Sequence, residues 1–137
     1  MIKELYSRVN LGEGALDTAV YEANSAMVLH PVAFENKQRE LLRASVELLA
    51  ERPIRSIFEE LGFPLCRERK CGHPEHPYEH VKPKDLTLEQ VRAASPDRFE
   101  LDRVVFDALG LTDEERVEVY RAVAQLVKDR LVKARRV

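Results

Sequence analysis

Cys66-Arg67-Glu68-Arg69-Lys70-Cys71-Gly72-His73-Pro74-Glu75-His76-Pro77-Tyr78-Glu79-His80 holds both cysteines of the chain, three of its four histidines and two of its seven prolines. The sequence on either side is helical in pattern, so this stretch reads as a loop between two helical halves. A polar, proline-rich loop cannot bury itself as a core segment does and has to be ordered by other means. Thiolate sulfur and neutral imidazole are the preferred ligands of tetrahedral zinc. Four residues separate Cys66 from Cys71, and His73 and His76 follow closely. A structural zinc cage of Cys66, Cys71, His73 and His76 is therefore within reach, with His80 able to replace either histidine. Zinc fingers and ribbons, however, bring two ligand pairs together across a long spacer, whereas these candidates all fall within fifteen residues. The plain alternative is a metal-free loop whose His-Pro steps favour extended backbone. A disulfide between Cys66 and Cys71 is the weaker reading, because nothing marks the chain as secreted.

Before the loop, residues 32–62 read as helical. Phe34, Leu41, Leu42, Ser45, Val46, Leu48 and Leu49 form an apolar stripe against Glu35, Lys37, Arg39, Glu40 and Arg43. Pro53 is placed to begin a second helix, in which Ile54, Ile57, Phe58 and Leu61 recur at helical spacing and Gly62 supplies the stop.

The loop extends over residues 63–85 and closes in the linker Val81-Lys82-Pro83-Lys84-Asp85. Residues 86–137 are helical again. Thr87 with Gln90 is a capping-box pattern, Ser95-Pro96 a helix start, and Thr112 with Glu115 a second box. Leu101, Val104, Val105, Ala108 and Leu109 are the expected buried face of the helix that Gly110 ends. The last and longest helix runs to about Arg135, with the stripe Val117, Tyr120, Ala124, Val127, Leu131 and Ala134. Acids at its start and bases at its end suit the helix dipole. Its final part carries Arg121, Lys128, Arg130, Lys133, Arg135 and Arg136 against the single acid Asp129. That positive end suits either dipole compensation or phosphate contact.

Residues 1–31 differ. Gly12 and Gly14 break the pattern into a turn, and the stretch from Leu16 to Leu29 reads as one or two short strands. The Gly-x-Gly pair lacks the third glycine and leading strand of a dinucleotide site. His30 is the one histidine outside the loop and reads as structural. The fold class is mainly α, one helical domain with a short β segment near the N-terminus and a Cys/His-rich loop between the helical halves.

The chain has 137 residues, 45% apolar and 34% charged, which suits one globular domain with a real core. No apolar run approaches the roughly 20 residues a membrane-spanning helix needs, so no membrane partner is expected. Met1-Ile2-Lys3-Glu4-Leu5 does not open a signal peptide, and two cysteines suit a reducing cytoplasm. With 22 basic and 24 acidic residues, any nucleic-acid surface has to be local. Arg67, Arg69 and Lys70 are one such cluster. No nucleophile elbow, phosphate loop or metalloprotease motif occurs, so no catalytic residue is assigned.

Two stretches carry a family resemblance. Arg8-Val9-Asn10-Leu11-Gly12-Glu13-Gly14-Ala15-Leu16, followed by a strand and His30-Pro31, resembles a segment in the C-terminal part of N6-adenine DNA methyltransferases of the single-polypeptide restriction–modification type. More specific is the region after it. Arg52-Pro53-Ile54-Arg55-Ser56-Ile57-Phe58-Glu59-Glu60-Leu61-Gly62, then Ser95-Pro96-Asp97-Arg98-Phe99-Glu100-Leu101-Asp102, then Phe106 to Thr112, Glu118 to Val123 and Leu126 to Arg130 look like that family's closing helices. The family's catalytic hallmark is a loop with two adjacent prolines, and no two prolines here are adjacent. A glycine-rich S-adenosylmethionine site is missing as well. The resemblance therefore implies a non-catalytic DNA-recognition or structural module whose partners are DNA and a catalytic methyltransferase domain or subunit. Arg8, Asn10, Arg67, Arg69 and Lys70 are the DNA-contacting residues it suggests. Two alternatives stand beside it: a helical protein-interaction module that packs on a methyltransferase core without touching DNA, and a small zinc-dependent hydrolase.

Overall fold

A computed structural model describes residues 8–9, 16–17, 30, 32, 34–68 and 71–134, the two short N-terminal pieces as backbone alone. The chain is mainly helical. Two strands, β1 (Arg8–Val9) and β2 (Leu16–Asp17), pair antiparallel with Arg8 opposite Asp17 and Val9 opposite Leu16. The strand at Leu16 was expected; its partner lies in what read as a turn, and the rest of the expected β segment, residues 18–29, lies outside the described residues.

Helix α1 spans Asn36–Ala50 and packs chiefly on α4 (Pro96–Ala108). It opens where the Glu35 N–H donates to Gln38 Oε1 at 2.9 Å. Its expected stripe is only partly realised. Phe34 is buried and Leu42, Ser45 and Leu49 are half-buried, but Leu41, Val46 and Leu48 face solvent. One packing partner covers one side of a helix, and a stripe this wide needs two.

Helix α2 is a single turn, Ile57–Glu60. Pro53 does not begin it: residues 53–56 lie outside any helix, with Ser56 extended, and Ile54 is 96% exposed instead of in the core. Ser56 makes the better start, because its Oγ accepts from the Glu59 N–H at 3.3 Å while the Ser56 N–H donates to Glu59 Oε2 at 3.0 Å. Gly62 ends the turn at φ 74°, with Phe63 N–H donating to Phe58 O and Gly62 N–H to Glu59 O.

A 3-10 turn at Pro83–Asp85 leads to α3 (Leu88–Ala94), then α4, then α5 (Asp113–Ala134). Only half of the Thr87 box forms. Thr87 Oγ1 accepts from the Gln90 N–H at 3.2 Å, but the Gln90 side chain donates across the fold to Leu61 O at 2.9 Å. The Thr112–Glu115 box is complete. On α4, Val104 and Phe106 are the buried residues, and Leu109, expected inside, is 50% exposed just before the Gly110 stop.

The core gathers Phe58, Leu61, Phe63, Val81, Leu86, Val91, Phe106, Tyr120 and Ala124. Two of these, Phe63 and Val81, belong to the stretch read as loop and linker, so both ends of the Cys/His segment are anchored in the core. Long polar side chains fix the same region from α5. Arg121 donates to Leu86 O at 2.8 Å, and Lys128 Nζ donates to Val81 O at 3.0 Å while pairing with Glu75 at 2.8 Å. Two cations of the expected positive end are thus committed inside the fold. Among the described residues no helix is long and apolar enough to cross a membrane.

Candidate metal centre

The segment between Phe63 and Val81 is shaped by backbone turns rather than by apolar burial. The Cys66 N–H donates to Pro77 O at 2.9 Å, closing the segment on itself. Tight turns follow, with His76 N–H on His73 O, Tyr78 N–H on Glu75 O and Val81 N–H on Tyr78 O. Tyr78 locks this series to the core by laying its ring 5.1 Å from that of Phe58. Gly72 supplies the remaining bend at φ 73°.

These turns bring Cys66, Cys71, His76 and Glu79 together, one ligand atom of each lying within 4.8 Å of all the others. Cys71 Sγ and His76 Nδ1 stand 3.0 Å apart. Bonds of about 2.0–2.3 Å to a tetrahedral zinc ion place ligand atoms roughly 3.3–3.8 Å from one another, so a contraction of about 1 Å would close the cage. Both cysteines are free thiols. The group could hold a metal ion, and its donor set of two sulfurs, one imidazole and one carboxylate fits a borderline-soft cation.

The strongest sign of fit is Glu79. Its side chain is only 9% exposed, and neither carboxylate oxygen has a hydrogen-bond partner among the described residues. A buried carboxylate without partners is costly unless a cation or donor compensates it. The thiols act on it across the gap without reaching bonding geometry. Facing the Glu79 carboxylate pushes the Cys66 thiol up to about 11, with burial adding to the effect. The Cys66 thiol in turn holds Glu79 down at about 2 against the opposing pull of burial. A bound cation would reverse the first of these, since a coordinated thiol loses its proton.

Three of the four ligands expected from sequence, Cys66, Cys71 and His76, are in this group. His73 is not: it is half exposed, with Nδ1 at 3.8 Å from Glu79 Oε1. His80 mirrors it, with Nε2 at 3.8 Å from the same oxygen, and the two rings stand 6.4 Å apart edge to face. The fourth place belongs to Glu79, a carboxylate outside the Cys and His residues to which the spacing pointed. Its position between His76 and His80 was the available signal. His30, read as structural, is exposed and accepts from the Val32 N–H through Nδ1 at 3.2 Å. Of the suggested DNA contacts, Arg67 is exposed beside Cys66, whereas Asn10, Arg69, Lys70 and the side chain of Arg8 lie outside the described residues.

A second feature lies elsewhere. A cavity of about 260 Å³ opens below the C-terminal end of α1, lined by Leu49, Ile57, Leu61, Phe106 and Val127 among others. Its polar groups are paired with one another. Tyr120 Oη donates to Asp102 Oδ2 at 3.0 Å, and Arg98 Nε spans both Asp102 oxygens at 3.2 and 3.1 Å. Burial raises both the Asp102 carboxyl and the Tyr120 phenol above their ordinary values. No family model, curated protein or solved structure matches the chain.

Proposed function

We propose that the chain is a non-catalytic helical module with a structural zinc centre at Cys66, Cys71, His76 and Glu79, and that it serves as the C-terminal DNA-recognition or structural part of an N6-adenine DNA methyltransferase. The observation that carries the metal half is the buried, unpartnered Glu79 carboxylate set against two thiols and an imidazole. Two sulfur ligands favour zinc over calcium or magnesium, which take oxygen. Four protein ligands also close the site, where a hydrolytic centre keeps a position free for water. The hydrolase alternative loses ground for that reason. Zinc would supply a cross-link there; the ligands' part is to tie the Phe63 end of the segment to the Val81 end.

The methyltransferase half rests on the residues of the resemblance, whose contacts within the fold are as follows. Arg52 of the Arg52–Gly62 stretch grips Glu60 at 2.7 and 2.8 Å and pairs with Asp97 of the Ser95–Asp102 stretch. Arg55 reaches Ser95 Oγ at 2.5 Å, and Asp102 accepts from Tyr120 in the third. These contacts join the three stretches into one polar-clasped unit.

A second reading has its own support. Arg121 and Lys128 are committed inside the fold, the net charge is −2, and Leu41, Val46 and Leu48 are exposed on α1. These features favour a module that packs on a methyltransferase core without touching DNA. Metal analysis of the untagged chain should find close to one zinc; its absence would sink the metal half. Duplex-DNA affinity, measured for the chain alone and with the catalytic polypeptide, should fall steeply with salt. Arg67→Glu should weaken it. No affinity under either condition would leave the protein-interaction reading standing.

A further inference from the structure

We propose that Cys66 and Cys71 make this centre a peroxide-sensitive latch: hydrogen peroxide joins the two sulfurs in an intramolecular disulfide, and the metal ion is released. The inference rests on the zinc reading of the site and adds regulation to it.

Two of the four ligands are sulfur, and both cysteines are only half-buried, so a small oxidant can reach them. Their sulfurs lie within 4.8 Å of each other. A disulfide closes at about 2.05 Å, so the sulfurs have to approach. Cys66 is tied through its backbone N–H to Pro77 O, and Cys71 meets His76 Nδ1 through Sγ at 3.0 Å, a side-chain contact that S–S closure replaces.

The chemistry balances with peroxide as the oxidant. One thiolate attacks a peroxide oxygen, the O–O bond breaks, and a sulfenic acid and hydroxide result. The second thiolate attacks the sulfenic sulfur and displaces hydroxide, forming the S–S bond. Two electrons pass from the sulfur pair to peroxide, and two protons from solvent convert the hydroxides to water. What remains of the ligand set is His76 and Glu79, one nitrogen and one oxygen, too few to retain zinc in a four-coordinate protein site. The fold should survive the loss. Tyr78 stays against Phe58 and Lys128 stays on Glu75, and neither contact passes through the metal.

The test uses the zinc-bearing full chain and hydrogen peroxide. Zinc release is read with a chromogenic chelator, the covalent state by intact mass without reductant, and the helices by circular dichroism. The expected result is release of about one zinc per chain, a mass about 2 Da below the reduced form, and a Cys66–Cys71 cross-linked peptide. Helical signal should be retained, and dithiothreitol with added zinc should restore the starting state. Zinc kept after peroxide treatment would overturn the latch. Release accompanied by sulfinic acid, or by disulfides between chains, would overturn it too. A chain that carries no zinc before peroxide is added fails the metal reading itself, so the two failures are distinguishable.

Discussion

Replacing Glu60 with glutamine should remove a charge clasp whose contribution depends on pH. Glu60 is 5% exposed. Arg52 donates to its two oxygens at 2.7 and 2.8 Å, and Arg55 donates to Oε1 at 3.3 Å. The Arg52 hydrogen bonds are the main reason its carboxyl falls from 4.5 to about 2, against the opposing effect of burial. Because the folded value lies below the unfolded one, the stabilisation is present above about pH 4.5 and is lost as pH falls towards 2. At 1.36 kcal/mol per unit the ceiling is about 3 kcal/mol, and more than half of it should be gone by about pH 3. Arg52 and Arg55 keep 25% and 40% of their side-chain surface in solvent, and screening there reduces the figure. Glu60→Gln should therefore cost about 2 kcal/mol near neutral pH and clearly less at about pH 3. Asp97, lowered chiefly by Arg52, and Asp102, raised by burial, act in opposite directions; both are present in either protein. Urea unfolding of both proteins across that pH range measures the difference. A loss that stays constant with pH would mean that Glu60 acts through packing, and the charge argument would fail.

Two further substitutions test the core and its turns. Phe58 is 1% exposed and packs tilted against the Tyr78 ring, so Phe58→Ala should cost about 3–5 kcal/mol by denaturant unfolding; a loss below about 1 kcal/mol would mean the core lies elsewhere. Gly62→Ala should cost more than Gly110→Ala, although both glycines have positive φ. An added Cβ at 62 meets Ala94 Cβ at 3.0 Å, while at 110 nothing lies within 4 Å. The left-handed conformation costs about 1 kcal/mol in each, and the clash should add about as much again at 62. Equal melting temperatures for the two variants would contradict that.

The helices were legible because their signals are local. Thr112 with Glu115, Pro96 after Ser95, and the glycines at 62 and 110 fixed starts and stops that the fold respects. Pro53 misled because a proline suited to a first helical position is equally suited to extended backbone, and Ser56 offered a side-chain cap where Pro53 offered none. Leu41, Val46 and Leu48 misled because periodicity reports an apolar face without reporting how many neighbours will cover it. The candidate site was legible as a segment, and three of its four members were legible as residues. Glu79 was hidden because carboxylates are common on solvated surfaces, and only its burial separates it from the others.

The same burial pattern says why this segment needs something beyond packing. Between Phe63 and Val81 the described apolar side chains packed against the core are Leu65 and Tyr78, one near each end, so apolar contact holds the two ends and little between them. Near its Val81 end sits the Glu79 carboxylate, with no hydrogen-bond partner among the described residues. The nearby cations answer it only in part. Lys128 is engaged by Glu75 and Val81 O, and His73 and His80 stop at 3.8 Å, beyond hydrogen-bond reach. A metal ion among Cys66, Cys71, His76 and Glu79 would neutralise the carboxylate and cross-link the segment in one step, which neither histidine protonation nor a disulfide accomplishes. Protonated histidines would leave the two thiols without a role, and a disulfide would leave Glu79 without a hydrogen-bond partner among the described residues.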